Sequence, residues 1–151
     1  RIKASKKLSE NNLVKSFMKA KLDVKKQFTL FITTDGNDII KENIKIIYLG
    51  HIKRDEIISY YSKSHFVILP SLIESFGLPI IEGIKSGSNV LISNIDSLKE
   101  ICVPSISFNP TSTKDIVSAI EKAGSLSYQK ESILTIKNEI NNFINLINRD
   151  V

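Results

Sequence analysis

Apolar and polar positions divide this chain into two alternating kinds of segment. Leu8, Leu13, Val14, Phe17, Met18 and Ala20 recur at helical spacing over residues 8–21, with Ser9 a candidate N-cap. Residues 28–33 are by contrast an unbroken β-rich run, followed by the turn cluster 34–38. A second apolar run covers 44–49 and ends at Gly50. Residues 54–63 return to helical spacing, with Ile57, Ile58 and Tyr61 on the inward side, and 66–69 is the next strand. A short helix is predicted over 79–86, stopped by Gly87, then a strand over 90–93, a helical turn over 97–101 and a short strand over 105–108. A helix follows over 113–123, capped by Ser112 or Thr111 and ended by Gly124. The stretch 128–148 reads as a last helix, with Ile133, Ile136, Ile140, Phe143, Ile144 and Ile147 on one side.

The strands are continuous apolar runs and they alternate with helices. A strand without polar alternation is buried on both faces, which is the signature of a parallel sheet covered by helices. The expected fold is therefore α/β, a Rossmann-like doubly wound parallel sheet, with residues 1–151 forming one domain. A hydrophobic fraction of 42% and a charged fraction of 25% suit a globular chain able to bury its own core. Cys102 is the single cysteine, so no internal disulfide can form, and core packing is its expected role. No apolar run approaches the ~20 residues of a membrane span, and the basic, polar start is unlike a signal peptide. The chain opens without Met, which suggests that residue 1 is an internal position of something longer.

The net charge of +5 is concentrated early, at Arg1, Lys3, Lys6, Lys7, Lys15, Lys19, Lys21, Lys25 and Lys26. Most of these suit a solvated helix face. The alternative is an anionic partner such as a phosphate or an acidic membrane surface. Nucleic acid is disfavoured, because the cations are not interleaved with aromatics and no nucleic-acid-binding signature is present.

Candidate chemistry lies in Pro70-Ser71-Leu72-Ile73-Glu74-Ser75-Phe76-Gly77-Leu78-Pro79-Ile80-Ile81-Glu82-Gly83. Two carboxylates, Glu74 and Glu82, are separated by seven residues. Glu74 falls in a loop at the carboxyl end of a buried strand, where open α/β sheets bind ligands. With Pro79 taken as the first helical position, Glu82 is about one turn into a helix among isoleucines, where an acid requires a polar partner or a wet cleft. The amides of residues 75–78, together with the positive end of that helix, form a natural anion site, and Gly77 would let backbone approach a ligand. Neither a Walker A loop nor a G-x-G-x-x-G fingerprint is present. His51 and His65 lack companions at metal-ligand spacing and read as structural or solvent-exposed.

The run Pro-Ser-x-x-Glu-Ser-Phe-Gly-Leu-Pro-x-x-Glu resembles the signature of glycosyltransferase family 4 (glycosyl transferases group 1), retaining enzymes of the GT-B fold. The two acids match the family's Glu-x7-Glu motif. Other segments agree in order: 46–52 with the family's strand-then-glycine segment beside the nucleobase, 60–67 with the helix and strand before the signature, 87–93 with the entry to the next strand, and Phe108-Asn109-Pro110 with the turn before the penultimate helix. Two departures stand out. Thr34 replaces a usual glycine while Gly36 keeps another, and Gly83-Ile84-Lys85 follows Glu82 in place of the common Ala-Met-Ala, which puts Lys85 within reach of that acid.

The resemblance implies the C-terminal, donor-binding half of such an enzyme, with the N-terminal acceptor domain absent from the chain. Catalytic roles are implied for Glu74, facing the donor sugar, and for Arg1 and Lys6, which stand at the spacing of the family's diphosphate-neutralising pair, with Lys7 an alternative to Lys6. Donor-binding roles are implied for Ile52 at the base edge, for Ser75, Phe76, Gly77 and Leu78 through their main-chain groups, and for Glu82 on the ribose hydroxyls. The expected activity is hexosyl transfer from a UDP-, GDP- or ADP-sugar to a glycan, polysaccharide or glycolipid acceptor, without metal or other cofactor. The isolated domain is expected to be inactive by itself. The expected location is cytoplasmic, with the basic first segment compatible with peripheral contact at the inner membrane face. The alternative is a non-catalytic Rossmann-like nucleotide-binding or assembly module.

Overall fold

The structure, a computed structural model, describes residues 2–125 and 130–136, with side chains from Ser9 onward. The elements in chain order are α1 (Ile2–Lys19), β1 (Phe28–Ile32), β2 (Ile39–Lys41), β3 (Ile44–Tyr48), α2 (Arg54–Lys63), β4 (Phe66–Leu69), α3 (Leu78–Lys85), β5 (Asn89–Ser93), α4 (Asp96–Lys99), β6 (Cys102–Val103), β7 (Ile106–Phe108), α5 (Thr113–Gly124) and β8 (Ile133–Leu134). Strands β1 and β3 pair in parallel, as do β4 with β5 and β5 with β7. The expectation of an α/β fold with parallel strands holds.

Six strands form two three-stranded sheets, ordered β3 between β1 and β2, and β5 between β4 and β7, and β6 pairs with β8. Helices cover both faces, as continuous apolar strands require. On one face α1 and α5 pack Leu13, Phe17, Ile116 and Ile120 against Leu30, Ile32, Ile46, Leu91 and Ile106. On the other, α3 and α4 pack Ile80, Ile81 and Leu98 against Val67, Val90 and Ile92. Strand β5 shows the division within one run, since Leu91 joins the first cluster while Val90 and Ile92 join the second.

Four expectations need correction. Helix α1 begins at Ile2, well before the expected start, so Ser9 is no N-cap but a buried residue inside the helix. Helix α3 starts at Leu78, which makes Pro79 its second residue. Strand β2 was not expected; it is an antiparallel edge of three residues whose outward pair leaves no burial pattern to read. Ile133 and Leu134 form strand β8 against β6, not helix. Their segment is tied down by polar bonds that hydrophobic spacing cannot reveal: Ser132 Oγ accepts from the amides of Val90 and Ser105, and the Ser132 amide donates to Asn89 Oδ1. The rest of the expected final helix lies outside the described residues. The cap of α5 is Ser112, whose Oγ accepts from the Asp115 amide at 3.2 Å.

Two predictions follow from the packing of α3 and β6. A Cβ on Gly83 would lie 2.7 Å from Val67 Cγ2, and a β-branched valine cannot turn aside. Gly83→Ala should destabilise the domain by about 1–3 kcal/mol, despite the ~1 kcal/mol alanine gains in helix propensity; urea unfolding reads the sign directly. Burial pushes the Cys102 thiol up to about 11, so thiolate is scarce at any pH well below that. Reaction with a disulfide reagent at pH 8 should be at least ~100-fold slower in the folded chain than in urea, and similar rates would show that β6 does not bury it.

Candidate functional site

The loop from β4 to α3 leaves the carboxyl edge of a parallel sheet, and its acid folds back onto its own backbone. Glu74 Oε1 accepts from the amides of Ser75, Phe76 and Gly77 at 3.1, 3.4 and 3.3 Å. Ser71 Oγ donates to Glu74 Oε2 at 3.3 Å. Three of the four amides expected to form an anion site, those of Ser75, Phe76 and Gly77, thus hold the chain's own carboxylate. These contacts are long for hydrogen bonds to a charged acceptor, which run about 2.7–2.9 Å at their strongest, so each is weak and the set can be exchanged.

Gly77 is the N-cap of α3, with φ at +55° in the left-handed region. A side chain there would be strained, and its Cβ would lie 2.7 Å from Ile101 Cδ1. The glycine is thus required by the turn and by the core beneath it. Phe76 and Leu78 on either side are exposed at 62% and 53%, and Ile73 at 77%. This apolar rim surrounds the Glu74 turn.

Glu82 does find a polar partner, and it is one that sequence spacing does not reveal. Arg54, at the start of α2, donates through Nη2 at 2.9 Å and Nε at 3.2 Å to Glu82 Oε1. The residues are 28 apart in sequence, and the packing of α2 beside α3 joins them. Lys85, the partner suggested by helical spacing, is exposed and makes no ion pair among the described residues. The Arg54 side chain is 75% exposed and that of Glu82 19%. So exposed an arginine holds its partner by under ~1 kcal/mol, and the pair can open at little cost. Tyr61, also on α2, has its hydroxyl pushed up to about 12, first by burial and then by the Glu82 carboxylate. Glu82 thus sits between an arginine and a neutral tyrosine on one helix.

The other expected residues are placed as follows. Ile52 lies in the loop after β3, half-buried, at the same carboxyl edge. Nearby, the Thr34 hydroxyl is buried without a hydrogen-bond partner, and the Tyr48 ring covers Gly36 so closely that a Cβ there would collide with it. Helix α1 runs back against the strands: Met18 near its end lines a hollow with Asn43 and Ile44 at their amino edge, while at the carboxyl edge the Tyr48 hydroxyl is pushed up, first by burial and then by Glu10. Lys6 is one turn before Glu10 and so belongs to that same half of α1; Arg1 lies outside the described residues. His51 and His65 are both exposed. Among the described residues no three His, Cys, Asp or Glu side chains converge as a metal set would. Two shallow hollows open at the opposite, amino edge, around Leu22, Asn43 and Gly124, away from both acids.

This arrangement has counterparts among known proteins. The chain is 38% identical over 80 residues to a serotype-specific mannosyltransferase of Escherichia coli, a match covering 52% of this chain and 10% of that protein. It is 38% identical over 56 residues to O-antigen chain mannosyltransferase B of Escherichia coli, covering 37% and 15%. An O-antigen chain mannosyltransferase of Salmonella typhimurium is 32% identical over 78 residues, covering 51% and 22%. The chain thus spans only a tenth to a fifth of these relatives. Among solved structures, sucrose-phosphate synthase from Thermosynechococcus elongatus superposes with a TM-score of 0.60 over 81% of this chain and 34% of that one, at 20% identity, a likeness of fold. The family model described as "Glycosyl transferases group 1" matches residues 11–138, and the chain belongs to that family.

Proposed function

We propose that this domain binds the nucleotide-diphospho-sugar donor of a retaining glycosyltransferase of family 4. The observation that carries the reading is the self-occupied turn. A set of amides at a helix N-terminus is already coordinated by a carboxylate, and that carboxylate is the first of the pair that resembles the family's Glu-x7-Glu motif. A diphosphate carries more charge than one carboxylate and can displace it from these amides. Glu74 is then released to accept hydrogen bonds from donor sugar hydroxyls. Glu82 would exchange Arg54 for the two ribose hydroxyls, a task suited to a carboxylate able to accept at both oxygens. Ile52 would offer main-chain groups to the base edge. Arg1 and Lys6 would balance the charge growing on the leaving diphosphate. The acids position the donor, and the barrier is lowered by cations and amides.

Mannose is the first sugar to try, because three relatives are named mannosyltransferases. UDP, GDP and ADP all remain candidates for the nucleotide. Transfer to an acceptor would need the N-terminal domain, and the domain by itself would bind but not transfer. No described helix is long and apolar enough to cross a membrane. A cytoplasmic location with peripheral contact through the basic first segment is part of the proposal.

Calorimetric titration with UDP, GDP, ADP and the corresponding hexose conjugates tests the reading. Glu82→Gln should weaken nucleotide binding about tenfold, the worth of one to two charge-assisted hydrogen bonds. Glu74→Gln should leave nucleoside diphosphate binding within about threefold and lose the extra affinity conferred by the sugar. No binding by any of the six ligands, even with the N-terminal half joined, would overturn it. Arg54→Gln should tighten nucleotide binding or leave it within about threefold, since the pair it breaks is exposed; a tenfold loss would make Arg54 a direct ligand of the donor.

A further inference from the structure

One hydroxyl at the amino ends of β5 and β7 has no part in the donor chemistry, yet its bonding is complete. The Asn89 amide donates to His65 O on the β4 side, so the next amide, that of Val90, turns toward β7. Strands β5 and β7 pair from Leu91 and Ile106 onward, which leaves the Val90 and Ser105 amides just short of the ladder. Ser132 Oγ stands between them and accepts from both at 2.9 Å. Ser105 Oγ donates its hydrogen to Lys130 O at 2.6 Å. Across the 2.8 Å contact between the two hydroxyls, Ser132 is therefore the donor. Its own amide donates to Asn89 Oδ1 at 2.9 Å. The hydroxyl takes the place of a main-chain carbonyl and clips residues 130–132 across two strands.

From that clip the segment continues as a strap over the core beneath α3 and α4. Leu134 pairs with Cys102. The Thr135 amide donates to Ile101 O at 3.0 Å, and its hydroxyl donates to Glu100 O at 2.6 Å. Leu134 and Ile136 pack against the buried cluster that holds Ile80, Leu98 and Ile101. Helix α4 is a single turn, and β6 pairs among the described residues only with β8. The strap is thus the main restraint on the Ile101 backbone beyond that turn. Ile101 in turn lies under the candidate site. A Cβ on Gly77 would meet Ile101 Cδ1 at 2.7 Å and Leu98 Cδ2 at 3.3 Å. Gly77 offers one of the three amides that hold Glu74, and its carbonyl accepts from the Ile80 and Ile81 amides at 2.9 and 3.3 Å to close the first turn of α3. Contacts therefore run without a gap from Ser132 through Thr135 and Ile101 to the donor turn, and a close-packed interior passes displacements along such a line.

We propose that Ser132 is a positioning residue for the donor turn. Its clip fixes the strap 130–136, the strap fixes Ile101, and Ile101 fixes Gly77 and the amides offered to a diphosphate. The consequence for binding rests on the donor-binding reading above; the link from Ser132 to Gly77 operates with no nucleotide present. Ser132 acts at a distance, because its bonds go to Asn89, Val90 and Ser105 and not to either acid. The position calls for a hydroxyl. It must accept twice and donate once, which serine and threonine can do and alanine cannot. Alanine leaves two buried amides without an acceptor, and the strap then opens as a local unit while the rest of the fold persists.

The test compares the chain with Ser132→Ala, Ser132→Thr and Ile101→Val. Three readouts are taken: amide exchange of Ile80 and Ile81 by NMR with Leu30 of β1 as control, reaction of Cys102 with a disulfide reagent, and calorimetric titration with UDP, GDP and ADP. Ser132→Ala should speed exchange at Ile80 and Ile81 and reaction at Cys102 by about tenfold or more, with Leu30 within about threefold. It should also weaken nucleoside diphosphate binding by about three- to tenfold, the worth of part of one hydrogen bond. Ser132→Thr should hold every readout within about threefold, since it keeps the hydroxyl. Ile101→Val removes the methyl under Gly77 and leaves the clip, so it should speed Ile80 and Ile81 and leave Cys102 slow. Should Ser132→Ala not fold, Thr135→Val, which drops only the bond to Glu100 O, takes its place with the same directions expected. Reactive Cys102 with unmoved Ile80 and Ile81 overturns the proposal, because the strap is then only a cover. Equal acceleration at Leu30 overturns it as a loss of global stability. So does unchanged nucleotide binding in a variant whose Ile80 and Ile81 amides have loosened. If no form binds any nucleotide, the donor reading falls, and the expected response at Ile80 and Ile81 still supports the link from Ser132 to Gly77.

Discussion

A strand whose two faces are both apolar can exist only between two layers of helix, and that requirement orders the rest of this molecule. Helices must alternate with strands to supply the layers, so the connections collect at the two ends of the sheet. The amino ends receive tight returns such as Ser86–Gly87. The carboxyl ends receive the loops that carry Ile52 and Glu74. The candidate site is assembled by this geometry before any particular side chain is chosen. Side-chain chemistry then acts on a place where backbone amides and a helix start are already exposed.

The acids show how such a place is kept stable without a ligand. Neither Glu74 nor Glu82 stands unpaired: one folds onto three amides, the other takes a guanidinium from the neighbouring helix. Both arrangements are reversible for a physical reason. The Glu74 bonds are long, and Arg54 is mostly in water. The neutral Tyr61 alongside Glu82 adds no second charge to be displaced.

Much of the fold was legible because strand burial leaves a mark in sequence. Continuous runs such as 66–69 became strands with the boundaries expected, and Ser112 caps α5 as its spacing implies. The exposed edge Ile39–Lys41 leaves no such mark, and Ile133 mimics a helical repeat while being held by polar bonds from Ser132. At the site, the positions of both acids could be read from the strand-turn-helix pattern. Their partners could not. Arg54 meets Glu82 only because two helices pack side by side, and nothing local to either residue encodes that meeting. Gly77 was legible as a turn residue, but the contact with Ile101 that forbids a side chain there is tertiary.

The folded-back Glu74 also bears on selectivity. Amides left open at a helix start would accept any small anion. A carboxylate tethered one to three residues away competes for them at an effective concentration on the order of millimolar or more. A free anion of similar intrinsic affinity and lower concentration is therefore excluded. Only a ligand with additional charge, or with contacts beyond the turn, can exceed that threshold. On the proposed reading the acid would act as a filter on what enters, beside the exposed Ile73, Phe76 and Leu78.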